Sequence, residues 1–187
     1  GKSTVNIVKK PSVAVVSTGD EIVNLTQSAK PYHVRPSNAY FIKAALQQLS
    51  LDRVNLFHAR DNRRSLKKII QTILKRYDIL ILSGGVSRGK FDLVPEVLCA
   101  LNVKVLFHNV RQKPGKPFWF GLTRDRKPVF ALPGNPASTQ VCMYRYVVPY
   151  IKRALGLPEQ KEYAKLAKRF APPTPFTFFL PIRIQSN

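Results

Sequence analysis

Ile79-Leu80-Ile81-Leu82 runs straight into Ser83-Gly84-Gly85. Four consecutive large apolar residues ended by glycines read as a buried strand that opens into a loop. Val13-Ala14-Val15-Val16 followed by Ser17-Thr18-Gly19 repeats the arrangement. Val54-Asn55-Leu56-Phe57 and Val103-Lys104-Val105-Leu106 are two further strands. Phe118-Trp119-Phe120 and Val129-Phe130-Ala131-Leu132 flank the polar residues 123–127 and read as a hairpin.

Helices fill the intervals. Ile42, Ala45, Leu46 and Leu49 recur at helical spacing, with Ser37 as N-cap. Leu66, Ile69, Ile70, Ile73 and Leu74 make a second stripe. Val94, Val97, Leu98 and Leu101 make a third, with Pro95 in its first turn. The longest stripe is Ala137, Val141, Tyr144, Val148, Ile151 and Leu155, opened by Asn135-Pro136, with Pro149 expected to kink or end it. Strands separated by helices of this length predict an α/β fold, a three-layer α/β/α domain around a mostly parallel sheet, over residues 11–156.

The flanks differ in character. Residues 1–10 read as the end of a preceding region, with a strand-like scrap at Val5 to Val8. Residues 157–187 read as a linker, Pro-rich at 171–175, then the start of a small β domain: a strand from Phe176 to Ile184 without partner strands. The expectation is a piece of a longer protein.

The composition narrows the function classes. In 187 residues there are 31 Lys+Arg against 10 Asp+Glu, a formal charge of +21, with 44% hydrophobic residues. That hydrophobic fraction argues against disorder. No apolar run approaches the roughly 20 residues of a membrane helix. Cys99 and Cys142 lack metal-ligand spacing and read as buried free thiols in a reducing compartment. The charge calls for an anionic partner: nucleic acid, an acidic membrane surface or a phosphorylated small molecule. Arg64, Lys67, Lys68 and Lys75 crowd one helix, but no nucleic-acid recognition motif accompanies them, so specific nucleic acid is not expected.

In open α/β sheets, ligands bind beyond the carboxyl ends of the strands. The informative residues cluster in those loops: Ser17 to Glu21, Arg60-Asp61-Asn62, Ser83 to Asp92, Lys113 to Pro117 and Leu132 to Pro136. Four of the 10 carboxylates, Asp20, Glu21, Asp61 and Asp92, lie there. Glycines let backbone amides approach a phosphate or oxo-anion, two lysines around a Pro-Gly turn hold positive charge, and facing carboxylates suit Mg²⁺. Each residue also has a plain structural reading. Asp61 and Asp92 can cap helices, Gly19, Gly85 and Gly134 can serve turns, and Lys113 and Lys116 can simply be solvated.

STGDEIV at 17–23, PSN at 36–38, SGGVSRGKFD at 83–92, KPGKP at 113–117 and LPGNPAS at 132–138 occur in this order. Together they resemble molybdopterin molybdenumtransferase, the MoeA family that includes the gephyrin E domain. The resemblance spans residues 9–155 and implies a MogA-like molybdopterin-binding fold within a cytoplasmic, homodimeric protein. It implies Mg²⁺-dependent insertion of molybdate into adenylylated molybdopterin (molybdopterin-AMP), with release of AMP and a MogA-type protein as partner. It assigns Glu21, Asp61, Asp92 and Lys113 to catalysis, the three carboxylates also to the metal. It assigns Thr18, Gly19, Asp20, Ser37, Asn38, Gly84, Gly85, Ser87, Lys116, Pro133, Gly134, Asn135 and Pro136 to substrate. Pro36, Arg88 and Asn109 depart from the family pattern. The rivals are a MogA-type adenylyltransferase, which shares the fold, and a non-catalytic binding or scaffold module. The STGDE and LPGNP loops favour the transferase.

Overall fold

A computed structural model describes residues 3–5, 7–23, 25–86, 93–158 and 163–185. The strands are β1 (Val13–Thr18), β2 (Val54–Ala59), β3 (Ile79–Ser83), β4 (Lys104–His108), β5 (Gln112–Lys113), β6 (Trp119–Leu122), β7 (Pro128–Leu132) and β8 (Thr177–Phe178). The helices are α1 (Ser37–Gln47), α2 (Arg63–Arg76), α3 (Val94–Ala100), α4 (Pro136–Cys142) and α5 (Val148–Ala154). Six strands form one sheet in the order β2-β1-β3-β7-β6-β4. β2, β1, β3 and β7 are mutually parallel, and β6 runs antiparallel to both of its neighbours. The hairpin and the parallel sheet read from the sequence are both present.

Alternation along the strands builds two cores. Val13, Val15, Ile79, Ile81 and Leu132 face α1 and the α4–α5 segment, meeting Ile42, Leu46, Met143 and Ile151. Ala14, Val16, Leu80, Leu82 and Val129 face α2 and α3, meeting Leu66, Ile70, Val97 and Leu98. Both faces are therefore covered, which is why β1, β3 and β7 are buried along their full length. Each large side chain so buried contributes about 1.5–3 kcal/mol by leaving water. Below the sheet, Ser12 joins β1 to β3. Its amide and hydroxyl donate to Asp78 Oδ2 at 2.8 and 2.7 Å, and its carbonyl accepts from the Asp78 and Ile79 amides.

Several elements depart from expectation. Ser37 is the first residue of α1 rather than its cap; Pro36 holds the cap position and no side chain caps the helix. The cap of α2 is Asn62, whose Oδ1 accepts from the Arg64 and Ser65 amides, so Asp61 is not a cap. The last helix is continuous through Pro149 but widens into a π turn at Met143–Val147, where the Val148 amide reaches back to Met143 O. Proline lacks an N–H and its ring crowds the carbonyl four residues earlier, and a wider turn relieves both. The extra residue rotates the buried stripe: Cys142, Met143 and Val147 point inward and Tyr144 outward. Cys99 is exposed, whereas Cys142 is buried as read. Val5 to Val8 forms no strand among its described residues and is exposed. The expected strand from Phe176 shrinks to β8, which finds a parallel partner in β5. Among the described residues no helix is long and apolar enough to cross a membrane.

Candidate functional site

β1 continues to β2 on one side through α1, and β2 returns over β1 to β3 through α2. The two crossovers diverge above β1 and β3, leaving a crevice at their carboxyl ends. A cleft of about 330 Å³ occupies it, lined among others by Thr18, Glu21, Ser37, Asn38, Asp61 and the Ser83-Gly84-Gly85 turn. Gly134 and Pro136 close its far side. A larger cleft of about 940 Å³ adjoins it toward β2, lined by Asp20, His33, Tyr40, Phe57, His58, Arg60 and Asn62 among others. Ser17, Ile22, Pro36 and Asp61 line both.

The walls are tied together by short polar contacts. Asn38 Nδ2, in the first turn of α1, donates to Ser83 Oγ at 3.0 Å and to Gly134 O at 2.8 Å. One side chain thereby fixes the ends of β3 and β7 against α1. The Gly84 amide donates to Leu132 O at 3.1 Å. Asn135 Oδ1 caps α4 through the Ser138 amide, and Thr139 Oγ1 donates to Pro133 O at 2.6 Å. The loop after β1 is held by Val34, whose amide donates to Glu21 O at 2.8 Å. The Asp61 amide donates to Asp20 Oδ1 at 3.3 Å, which ties the loop after β2 to the loop after β1.

The floor of the smaller cleft holds its most informative atom. Thr18 is 4% exposed, and its hydroxyl has no hydrogen-bond partner among the described residues. Gly84 and Gly85 pass directly over it at φ +98° and +65°. A Cβ on Gly84 would lie 2.9 Å from Thr18 Oγ1 and 2.8 Å from Thr18 O; one on Gly85 would lie 3.0 Å from the hydroxyl. Only glycine fits both the backbone angle and the space. An orphaned buried hydroxyl beneath a bare-backbone turn costs about 1–3 kcal/mol unless a ligand satisfies it.

The site residues read from the sequence separate into groups. Thr18, Glu21, Ser37, Asn38, Asp61, Gly84, Gly85, Gly134 and Pro136 line the smaller cleft, and Asp20 lines the larger. Gly19 leads into the Asp20-Glu21 turn; Pro133 and Asn135 shape and cap the start of α4. Ser87 and Asp92, with Arg88 between them, lie outside the described residues. Lys113 and Lys116 are exposed and are not among the residues lining either cleft. They sit where β5 meets β8, with Lys116 Nζ 5.7 Å from the Phe176 ring centre. No group of three His, Cys, Asp or Glu side chains gathers as a metal site among the described residues.

The sequence reading did not single out His58. Its Nε2 donates to Gly19 O at 2.9 Å, anchoring the loop that carries Asp20 and Glu21. The available signal was its place at the carboxyl end of β2, in register with Ser17. Gln112 was also missed. It is 1% exposed and fully hydrogen-bonded beneath the Lys113–Lys116 loop, and no local pattern announces it.

Comparison with known proteins places the chain. Residues 14–153 match the family model described as a probable molybdopterin binding domain. Molybdopterin molybdenumtransferase from Synechocystis sp. is 39% identical over 185 residues, 98% of this chain and 45% of that protein. Its namesake from Staphylococcus aureus is 33% identical over 96% of this chain and 43% of its own length. The chain thus spans less than half the length of these curated relatives. The crystal structure of the molybdopterin biosynthesis MoeA protein from Pyrococcus horikosii superposes with a TM-score of 0.69 at 37% identity, over 79% of this chain and 36% of that one.

Proposed function

This chain belongs to the family of probable molybdopterin binding domains, and from that premise we propose that it is the pterin-binding part of a molybdopterin molybdenumtransferase. The reaction is insertion of molybdate into adenylylated molybdopterin, with Mg²⁺ as cofactor and AMP as product. The observation that carries this reading is the Thr18 hydroxyl, buried without a hydrogen-bond partner among the described residues, beneath the bare-backbone Gly84-Gly85 turn at the sheet's switch point. Residues 11–156 act as the binding domain; residues 1–10 and 157–187 lead to neighbouring domains of a cytoplasmic homodimer that works beside a MogA-type partner.

Thr18 and Ser37 supply hydroxyls, and the first turn of α1 carries no acidic residue and no capping side chain, so its positive end favours a phosphate. Glu21 and Asp61 are the hard oxygen donors lining that cleft, and with Asp92 they would hold Mg²⁺, which takes few carboxylates and keeps substrate phosphates and water as its other ligands. A cation held there would supply positive charge to offset that of the phosphoanhydride oxygens. Lys113 and Lys116 offer ammonium groups to the dianionic molybdate. Joining a dianionic oxo-anion to a phosphorylated ligand needs charge neutralisation and orientation more than a strong nucleophile. Alone, the 187-residue chain binds the pterin and turns over little.

Titration of adenylylated molybdopterin into this chain tests the site. Thr18→Val keeps the shape and removes the hydroxyl, and is expected to weaken binding about tenfold or more, the worth of one buried hydrogen bond. Equal affinity for both proteins would overturn the assignment.

A further inference from the structure

The loop that carries Lys113 and Lys116 is held from below by a buried amide. Gln112 Nε2 donates to Pro114 O and Gly115 O, both at 3.2 Å, and lies 3.6 Å from Cys142 Sγ. Its Oε1 accepts from Tyr146 OH. The amide has a single sensible orientation: turned over, its oxygen would face two carbonyl oxygens and its NH₂ would face the phenol. Tyr146 is fixed in turn by stacking on Phe118, with ring centres 4.5 Å apart and planes at 11°.

Two further features make this a built arrangement. Gly115 sits at φ +92°, and a Cβ there would lie 2.7 Å from Gln112 Nε2 and 2.8 Å from Cys142 Sγ. The loop closes through Val110, whose amide donates to Lys116 O at 2.8 Å. Tyr146 reaches Gln112 from within the π turn, so the widened helix turn and the lysine loop share one buried contact.

We propose that Gln112 and Tyr146 are positioning residues that set the spacing of the Lys113 and Lys116 ammonium groups for an oxo-anion. This inference rests on the anion-binding role proposed above for those lysines. Fixed backbone carbonyls at 114 and 115 fix the directions in which the two flanking side chains leave the loop. Two lysines rooted on a fixed backbone lose less freedom on gripping a tetrahedral dianion than two on a mobile loop.

The test uses this chain, sodium molybdate as probe, and two readouts: calorimetric affinity, and hydrogen exchange at the Val110 amide. Gln112→Met fills the same volume without hydrogen bonds. It is expected to weaken molybdate about tenfold and to speed Val110 exchange by a similar factor, leaving the β1 and β3 amides as in wild type. Tyr146→Phe, which keeps the loop-side bonds, is expected to give an intermediate change in both, and it decides the matter if the methionine variant fails to fold. Lys113→Ala separates the two layers of the argument. If it and wild type bind molybdate alike, the lysine role fails, and unchanged Val110 exchange in the Gln112 variant then rejects the clamp as well. If Lys113→Ala loses binding while both clamp variants match wild type, the positioning role alone is overturned.

Discussion

Thr18 and Cys142 show how far single residues depend on their surroundings. Thr18 is an ordinary strand end in the sequence; beneath two glycines it becomes a buried hydroxyl without a partner among the described residues. Thr18→Val is therefore expected to leave stability unchanged or raise it by about 1 kcal/mol while it weakens pterin binding. Urea unfolding of the two proteins checks the first half; a loss above ~1 kcal/mol would mean the hydroxyl has a structural partner. The Cys142 thiol is pushed up to about 12 by burial, with the Gln112 hydrogen bond opposing part of the rise. It stays a thiol at pH 8, whereas Cys99 is exposed. Iodoacetamide on the native chain should therefore label Cys99 alone, with Cys142 reacting after denaturation, as read by peptide mass. Cysteine count and spacing gave the two residues the same reading; which one is reactive follows from burial.

At the scale of elements, the caps and the sheet's lower edge carry distinct expectations. Asn62→Ala should cost about 1 kcal/mol by removing the acceptor for two first-turn amides of α2. Asp78 is held below the usual carboxylate range, first by the Ser12 backbone amide, then by the Ser12 hydroxyl, with Lys9 and Lys127 assisting against burial. A folded-state value below the unfolded one stabilises above about pH 4, and the benefit disappears as pH falls through the lower folded value. Asp78→Asn is thus expected to be less stable than wild type at pH 6 by about 1 kcal/mol, a figure kept small because solvent reaches the carboxylate. The two should converge in acid unfolding curves as pH falls through that lower folded-state value. The elements themselves were largely legible: apolar runs ended by glycines gave β1 and β3, and helical spacing gave α1, α2 and α3. The π turn was not, because a regular 3.6-residue stripe cannot represent the residue inserted ahead of Pro149.

At the scale of the whole molecule, the charge of +21 meets few opposite partners. Lys10–Asp52 at 3.5 Å and Arg63–Glu96 at 3.3 Å are salt bridges, both solvent-exposed. Mutual repulsion of the cations should therefore dominate the salt response. The melting temperature is expected to rise as NaCl increases from about 0.05 to 0.5 M, because the screening length shortens toward a few ångström. A fall over that range in differential scanning fluorimetry would show that attractive pairs outweigh repulsion. The sequence by itself determined the layered α/β fold, since burial on both faces demands apolar runs and covering helices leave their own periodicity. It also pointed to the loops that form the cleft, since glycines and scarce carboxylates gather at the strand ends. Tertiary structure alone decided which of those residues meet. It brought Thr18, Asn38, Asp61 and Gly84 to one cleft, set Lys113 and Lys116 beside β8, and buried Gln112 beneath them. The reason is range: periodicity and turn chemistry act over a few neighbours, whereas a hydroxyl left without a partner or an amide fully satisfied depends on residues dozens of positions away.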